Sequence, residues 1–470
     1  MTARLPLARS PLLVLGLAGC LGLLAGVNPT LALVGACAVA FVAVLFVSFS
    51  VATGIFIVVT FIALPDNAAK AIGVLLAVAL MAKIAAGRER RQGFQSVHPI
   101  ATASLVIFLG WSLLGALWAK SPSAVLATVP RYALSVLLLF VVYSAVRTRR
   151  DVLLLVTLFV LGSAIAAAYG LIYAPPPGIY DDLSRSGGTL GDPNELAAVL
   201  VVGLLLSAAL AAVRSVPGPV RVGAMVSGVL CVAGIALSLS RGGLLALGVA
   251  LVVGVFVAGR WRVHMAALAV VVAVGTVGYF ATSSSPEALQ RITTAGGGSG
   301  RSDIWLVGWR MFKANPVEGV GAGNFPIVSV NYLLKPGAIT YSRYIVDTPL
   351  VAHNTYLQEL AEGGIVGAAL FFGILTFALR SYRLAWRGFR RSGDHDLEIL
   401  SYAAFIGLVG FMAACFFISV EFNKQLWILV ALAPALQRLS VASAETDSGA
   451  TGVVATEPPV FAGEPRLVGA

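Results

Sequence analysis

The chain has 470 residues, 59% of them hydrophobic and 11% charged, with 32 basic side chains against 21 acidic ones. With a mean hydropathy of +0.92 it cannot be a water-soluble globular domain, because so little polar surface cannot cover that apolar mass. The net charge of +11 does not point to nucleic acid either, since most basic residues stand at the ends of apolar segments, where they set membrane orientation.

Long apolar runs predict an all-α polytopic membrane helix bundle. In lipid each backbone group is bonded within its own segment, and about 20 apolar residues cross ~30 Å of hydrocarbon. About 12–14 spans are expected, near 12–27, 30–47, 49–64, 68–86, 99–119, 128–146, 151–172, 195–213, 220–239, 242–258, 263–281, 357–380, 398–418 and 424–439. Arg4 and Arg9 precede the first run without a cleavage signature ahead of a soluble domain, so that run is read as an uncleaved span. Four units follow: 1–281, the first part of the bundle; 282–353, an extracytoplasmic loop or lid with short helices; 354–441, the rest of the bundle; and 442–470, a disordered cytoplasmic tail. Cys20, Cys37, Cys231 and Cys415 lie within apolar runs and read as small packing residues.

With the N-terminus in the cytoplasm, 20 of the 32 basic residues fall on inner segments and 6 on short outer loops, the rest lying in the long loop. Both termini are therefore expected in the cytoplasm, with the long loop outside. Lys70, Lys120, Arg131, Arg185, Arg241 and Lys424 oppose that bias. Cations near hydrocarbon are costly, so they are either snorkelling to lipid phosphate or functional.

Arg185 sits in a glycine-rich loop, Arg185-Ser186-Gly187-Gly188-Thr189, whose backbone N–H groups and guanidinium suit phosphate oxygens. Asp192-Pro193-Asn194-Glu195 reads as a helix start with an Asp cap and Pro at the first position. In Ser240-Arg241-Gly242-Gly243 the paired glycines suggest a tight reversal, with Arg241 at the outer interface or bonded to the carbonyls ending the preceding span. A helix over 302–314 is expected to lie on the outer leaflet or to lid the bundle, with Ile304, Trp305, Gly308, Trp309, Met311 and Phe312 on one side and Asp303, Arg310 and Lys313 on the other. The loop then meets an apolar helix at Ala352-His353-Asn354. The basic stretch 380–391 is read as a seat for anionic membrane lipid.

The chain lacks His-x-x-x-His or paired-Cys spacing, and its exposed loops lack a Gly-x-Ser-x-Gly elbow, which argues against metal hydrolysis and serine hydrolysis. A membrane donor that already carries a good leaving group fits better. Arginines can offset the charge of a departing diphosphate, and His353 can take a proton from an attacking hydroxyl near neutral pH. A histidine before Asn at a helix start can also simply cap it.

These motifs resemble the O-antigen ligase and O-antigen polymerase family of bacterial membrane glycosyltransferases. The resemblance rests on Arg185 with its Gly-Gly-Thr and Asp192-Pro193-Asn194, on Ser240-Arg241-Gly242-Gly243, on Gly300-Arg301-Ser302 with Trp305 ahead of Asn315-Pro316 and Gly319-Val320-Gly321, and on His353-Asn354-Thr355-Tyr356-Leu357 with Glu362-Gly363-Gly364-Ile365-Val366-Gly367. It implies a polyprenyl-diphosphate-linked glycan donor, a glycan, lipid or protein acceptor, and inverting transfer without metal or other cofactor at the outer face of the bacterial cytoplasmic membrane. It implies Arg185 and Arg241 as diphosphate-binding residues and His353 as the base. Arg131, Arg301 and Asn354 are further substrate-binding candidates. The competing class is a transporter or flippase of lipid-linked saccharide, which would place charge deep in several spans; these hold almost none.

Overall fold

The computed structural model describes residues 29–62, 66–85, 93–173, 185–282, 284–293, 301–333, 343–346 and 349–451. The expected first span at 12–27 and the chain beyond 451 lie outside the described residues. Among the described residues there is no strand, and a helix stands at each of the other expected spans. In chain order these are α1 (Pro29–Val47), α2 (Phe49–Val59), α3 (Asp66–Ala85), α4 (Pro99–Leu114), α5 (Pro122–Ala145), α6 (Arg149–Ile172), α7 (Pro193–Ala212), α8 (Gly218–Leu237), α9 (Arg241–Val257) and α10 (Arg262–Thr282). The segment between the two parts of the bundle holds α11 (Pro286–Thr293) and α12 (Arg301–Ala314), and α13 (Thr355–Arg391), α14 (His395–Ala414) and α15 (Lys424–Thr451) complete the bundle. Nine of the described helices are long and apolar enough to cross a membrane, and α1, α2 and α9 contribute shorter apolar stretches.

Burial separates the helices into a core and a rim. The apolar windows of α7 and α14 are 78% buried, whereas those of α4 and α10 are 17% buried and present their side chains outward. The core packs closely because small residues stand at the crossings, as in membrane bundles generally. A Cβ on Gly203 would come within 2.6 Å of Ser163, and one on Gly410 within 2.9 Å of Ala250.

Polar contacts gather at the two ends of the bundle, and the connections alternate between them as the span order requires. At one end Arg149 pairs with Asp394 at 3.2 Å and Asp396 at 2.5 Å, Asp396 accepts from the backbone N–H of Arg214 at 3.0 Å, and Arg260 pairs with Glu398. At the other end Trp111 Nε1 donates to the Gly363 carbonyl at 2.9 Å, and Trp118 Nε1 to that of Gly319 at 3.2 Å. The second end carries Arg185, Arg241, Arg301 and His353.

There α12 lies against α13 over a small core of Ile304, Val307, Met311, Val320, Phe325 and Ala361. The expected division of this helix into two faces is corrected: Asp303 and Arg310 are buried with the apolar residues, and Trp309 is 43% exposed. Burial of Arg310 is tolerated because its guanidinium donates to the Tyr332 carbonyl at 2.9 Å. The glycine-rich segment 315–324 then crosses α13, where Val320 N donates to the Ala361 carbonyl and Ile365 N to that of Pro316, both at 2.9 Å. This crossing breaks the helix. Gly364 has φ 63° and ψ −166°, a conformation essentially confined to glycine, and a Cβ there would stand 2.1 Å from the Val317 carbonyl oxygen.

Gly364→Ala is therefore expected to destabilise the protein by about 1–3 kcal/mol, read as a lowered unfolding midpoint in detergent. Gly373→Ala, in the same helix with open space around the added methyl, is expected to leave the midpoint unchanged or slightly raised.

Candidate active site

The site is assembled from helix starts. Asp192 caps α7, its carboxylate accepting from the N–H groups of Asn194 at 2.6 Å and Glu195 at 3.0 Å, with Pro193 at the first helical position as expected. The glutamate completes no reciprocal box with Asp192; its carboxylate accepts from Asn423 Nδ2 at 2.7 Å, tying α7 to the segment before α15.

Two residues on, the Asn194 side-chain carbonyl accepts from Arg185 Nη2 at 3.1 Å and from Ser240 Oγ at 2.8 Å. Ser240 caps α9, accepting from Gly243 N at 3.1 Å, and Arg241 is the first residue of that helix. Arg185 also donates through Nε to the carbonyl of Ser238, just past the end of α8, at 3.0 Å. Arg185 thus bonds the carbonyl that ends the span before Arg241. One carboxamide draws together the starts of α7 and α9, the end of α8 and two arginine-bearing segments.

The reversal before α9 is also made differently from the expectation. It turns at Leu239, φ 47°, while Gly242 and Gly243 are helical and serve close packing. A Cβ on Gly243 would meet that of Ala197 at 2.3 Å, and one on Gly242 that of Phe417 at 2.8 Å.

His353 is held from both sides. Asn354 caps α13, its side-chain oxygen accepting from Tyr356 N at 3.1 Å and Leu357 N at 3.0 Å, so the capping role is Asn354's and not the imidazole's. On the other side, Ala352 accepts from Trp305 Nε1 at 3.1 Å and donates through N to Gln358 Oε1 at 3.2 Å. Between these anchors His353 adopts a left-handed backbone, φ 48°, uncommon for a residue with a side chain and characteristic of functional positions. Burial, and next the Arg301 guanidinium, hold its pKa below the ordinary histidine value, and Asp192 opposes them. The imidazole is consequently neutral at pH 7 and stands within electrostatic reach of both the α12 and α7 starts. Trp305 and Phe417, ring centroids 6.3 Å apart, bridge from α12 to the residue beside Gly242.

The structure thus brings Arg185, Arg241, Arg301, His353 and Asn354 to one end of the bundle. Arg131 stands apart, over the Phe422 ring at 4.0 Å and lining a different cavity. Asn194 and Ser240, which organise the arginines, were not singled out from sequence; their signal was their place inside the two arginine motifs. From Arg241 an apolar cavity of about 720 Å³ runs along α9 past Leu244, Gly248 and Val252, and Ile292 of α11 also lines it. Among the described residues no group of three or more His, Cys, Asp or Glu side chains is placed to hold a metal ion.

Residues 226–372, from α8 into α13, match the family model described as O-antigen ligase. That stretch includes Arg241, Arg301, His353 and Asn354, and leaves Arg131 and Arg185 outside. No curated protein matches the chain.

Because a neighbouring cation disfavours the imidazolium, Arg301→Gln is expected to raise the His353 pKa and Asp192→Asn to lower it further. The measurement is carbethoxylation of His353 against pH, followed by mass spectrometry, since neutral imidazole is the form that reacts. A midpoint that stays in place in both variants would contradict the assigned electrostatics.

Proposed function

We infer, from the membership of the O-antigen ligase family that residues 226–372 carry, that this multi-pass membrane protein transfers a polyprenyl-diphosphate-linked glycan to an acceptor hydroxyl, with His353 as base and Arg185 and Arg241 as diphosphate ligands. The observation that carries the reading is convergence: the Arg185 guanidinium held by Asn194, Arg241 at the start of α9 and a neutral imidazole within electrostatic reach of Asp192 lie at the same end of the bundle. The 20-to-6 bias of basic residues in short loops supports an orientation with that end outside the cytoplasm, where nucleotide-activated sugars are absent and a lipid-borne leaving group supplies the driving force.

Each group then has a part in a single displacement. The acceptor oxygen attacks the anomeric carbon as the His353 imidazole takes its proton. The bond from that carbon to the diphosphate oxygen breaks on the opposite face, and polyprenyl diphosphate leaves with the electron pair. Attack and departure on opposite faces invert the anomeric centre. Arg185 and Arg241 offset the charge that develops on the leaving group, the task for which prepositioned cations are most effective, and the cavity beside Arg241 gives the prenyl chain a seat along α9. The Arg301 charge makes the resulting imidazolium short-lived, returning its proton to water. Asn354 and Trp305 act by positioning, fixing the backbone on either side of His353.

In nanodiscs with chelator and without nucleotide, the protein is expected to release polyprenyl diphosphate when given donor and acceptor. His353→Ala should lower turnover by about 10²–10⁴-fold with an unchanged unfolding midpoint. Arg241→Lys should lower it by at least about tenfold, since a point charge does not reproduce a bidentate fork. Full turnover in either variant, or movement of donor across the bilayer without diphosphate release, would refute the assignment.

A further inference from the structure

A second groove opens on the same half of the bundle, between α3 and α5. It encloses about 270 Å³, and three of its lining residues are Lys70, Arg131 and Lys424, the others being mainly apolar. Lys70 lies in the second turn of α3 and Lys424 opens α15. Arg131 lies nine residues into α5, roughly 14 Å below the helix start at 1.5 Å per residue. A guanidinium beside the apolar wall of a membrane bundle is costly unless something offsets its charge. Stacking on Phe422 supplies part of that.

Among the described residues, two carboxyls act on cations of this cluster. Glu421 acts on Arg131 from the loop before α15; it is buried, its Oε2 has no hydrogen-bond partner, and burial pushes its pKa up to about 7. Glu195 lies within electrostatic reach of Lys424 and is hydrogen-bonded to Asn423. Three cationic side chains thus gather at the mouth of the groove. Below the cations the wall turns apolar through Leu138 and Leu76. Cationic at one end and apolar along the rest, the groove between two helices of a membrane bundle matches an amphiphile with an anionic head and a hydrocarbon chain.

We propose that the groove between α3 and α5 binds an anionic phospholipid, its phosphate among Lys70, Arg131 and Lys424 and an acyl chain along Leu138 and Leu76. This site is separate from the one that holds the glycan donor. Glu195, hydrogen-bonded to Asn423, lies within electrostatic reach of both Lys424 and Asp192, the electrostatic neighbour of His353. The proposal stands whether or not the donor assignment does, because none of its residues is required for proton transfer.

The test is native mass spectrometry of the full-length protein in detergent, titrated with phosphatidylglycerol, phosphatidylcholine or a polyprenyl phosphate. Wild type should retain one phosphatidylglycerol at least tenfold more tightly than phosphatidylcholine. The combined Lys70→Gln, Arg131→Gln and Lys424→Gln variant should lose that preference. Gly73→Leu, which grows a side chain into the groove beside Phe56 and leaves the cations in place, should weaken binding of either phospholipid. Arg241→Gln should retain the phosphatidylglycerol. If the triple variant is poorly folded, the Lys70→Gln and Lys424→Gln double variant carries the same expectation. Equal retention in wild type and a folded variant would overturn the proposal, as would displacement of phosphatidylglycerol by an equimolar polyprenyl phosphate, which would assign the groove to the donor.

Discussion

The carboxamide of Asn194 is the joint on which the site depends. Its oxygen takes hydrogen bonds from Arg185 and Ser240, and through them the starts of α7 and α9 and the Arg185 guanidinium, which also bonds the carbonyl past α8, are fixed to one another. Helix ends near a membrane surface leave backbone groups without intrahelical partners. Here those groups are met by the side chains that also gather charge: Asp192 and Ser240 cap α7 and α9, while Arg185 takes the carbonyl past α8. Satisfying the termini and concentrating positive potential are therefore one arrangement.

The histidine is supplied from the other part of the bundle by a different device. α13 is interrupted at Gly364 so that the segment 315–324 can cross it and hydrogen-bond to its backbone. That crossing seats α12 against the first turns of α13, and α12 in turn contributes Trp305 to hold Ala352 and Arg301 to bias His353. The left-handed backbone at His353 persists because hydrogen bonds on both sides overdetermine it. A glycine remote from the imidazole thus sets where the imidazole stands.

Much of this was legible in the chain. The helices follow from apolar runs long enough to span lipid, and Asp192 as a cap follows from its place before proline. The convergence of Arg185, Arg241 and His353 was legible through topology, since alternation of spans puts all three at the same end. Distances were not, because Arg241 and His353 stand 112 positions apart in the chain and nothing local specifies their packing. The face of α12 was misjudged for a related reason: Asp303 and Arg310 look solvent-facing by type, but α12 is covered by the crossing segment, and Arg310 finds a carbonyl there. Gly242 and Gly243 were read as turn residues because glycine's conformational freedom is visible in sequence, whereas the neighbouring Ala197 and Phe417 that demand its small size are not. Arg131 resembled the other outer arginines by position alone; its aromatic partner Phe422 lies almost 300 residues away in sequence.

The most direct trial of the central claim is a structure of the protein in lipid with a non-transferable polyprenyl-diphosphate saccharide bound. The account requires the diphosphate against Arg185 and Arg241, the prenyl chain along α9, and the anomeric carbon on the side that His353 faces. A diphosphate seated at Arg131, or at the end of the bundle marked by Arg149 and Asp396, would contradict it.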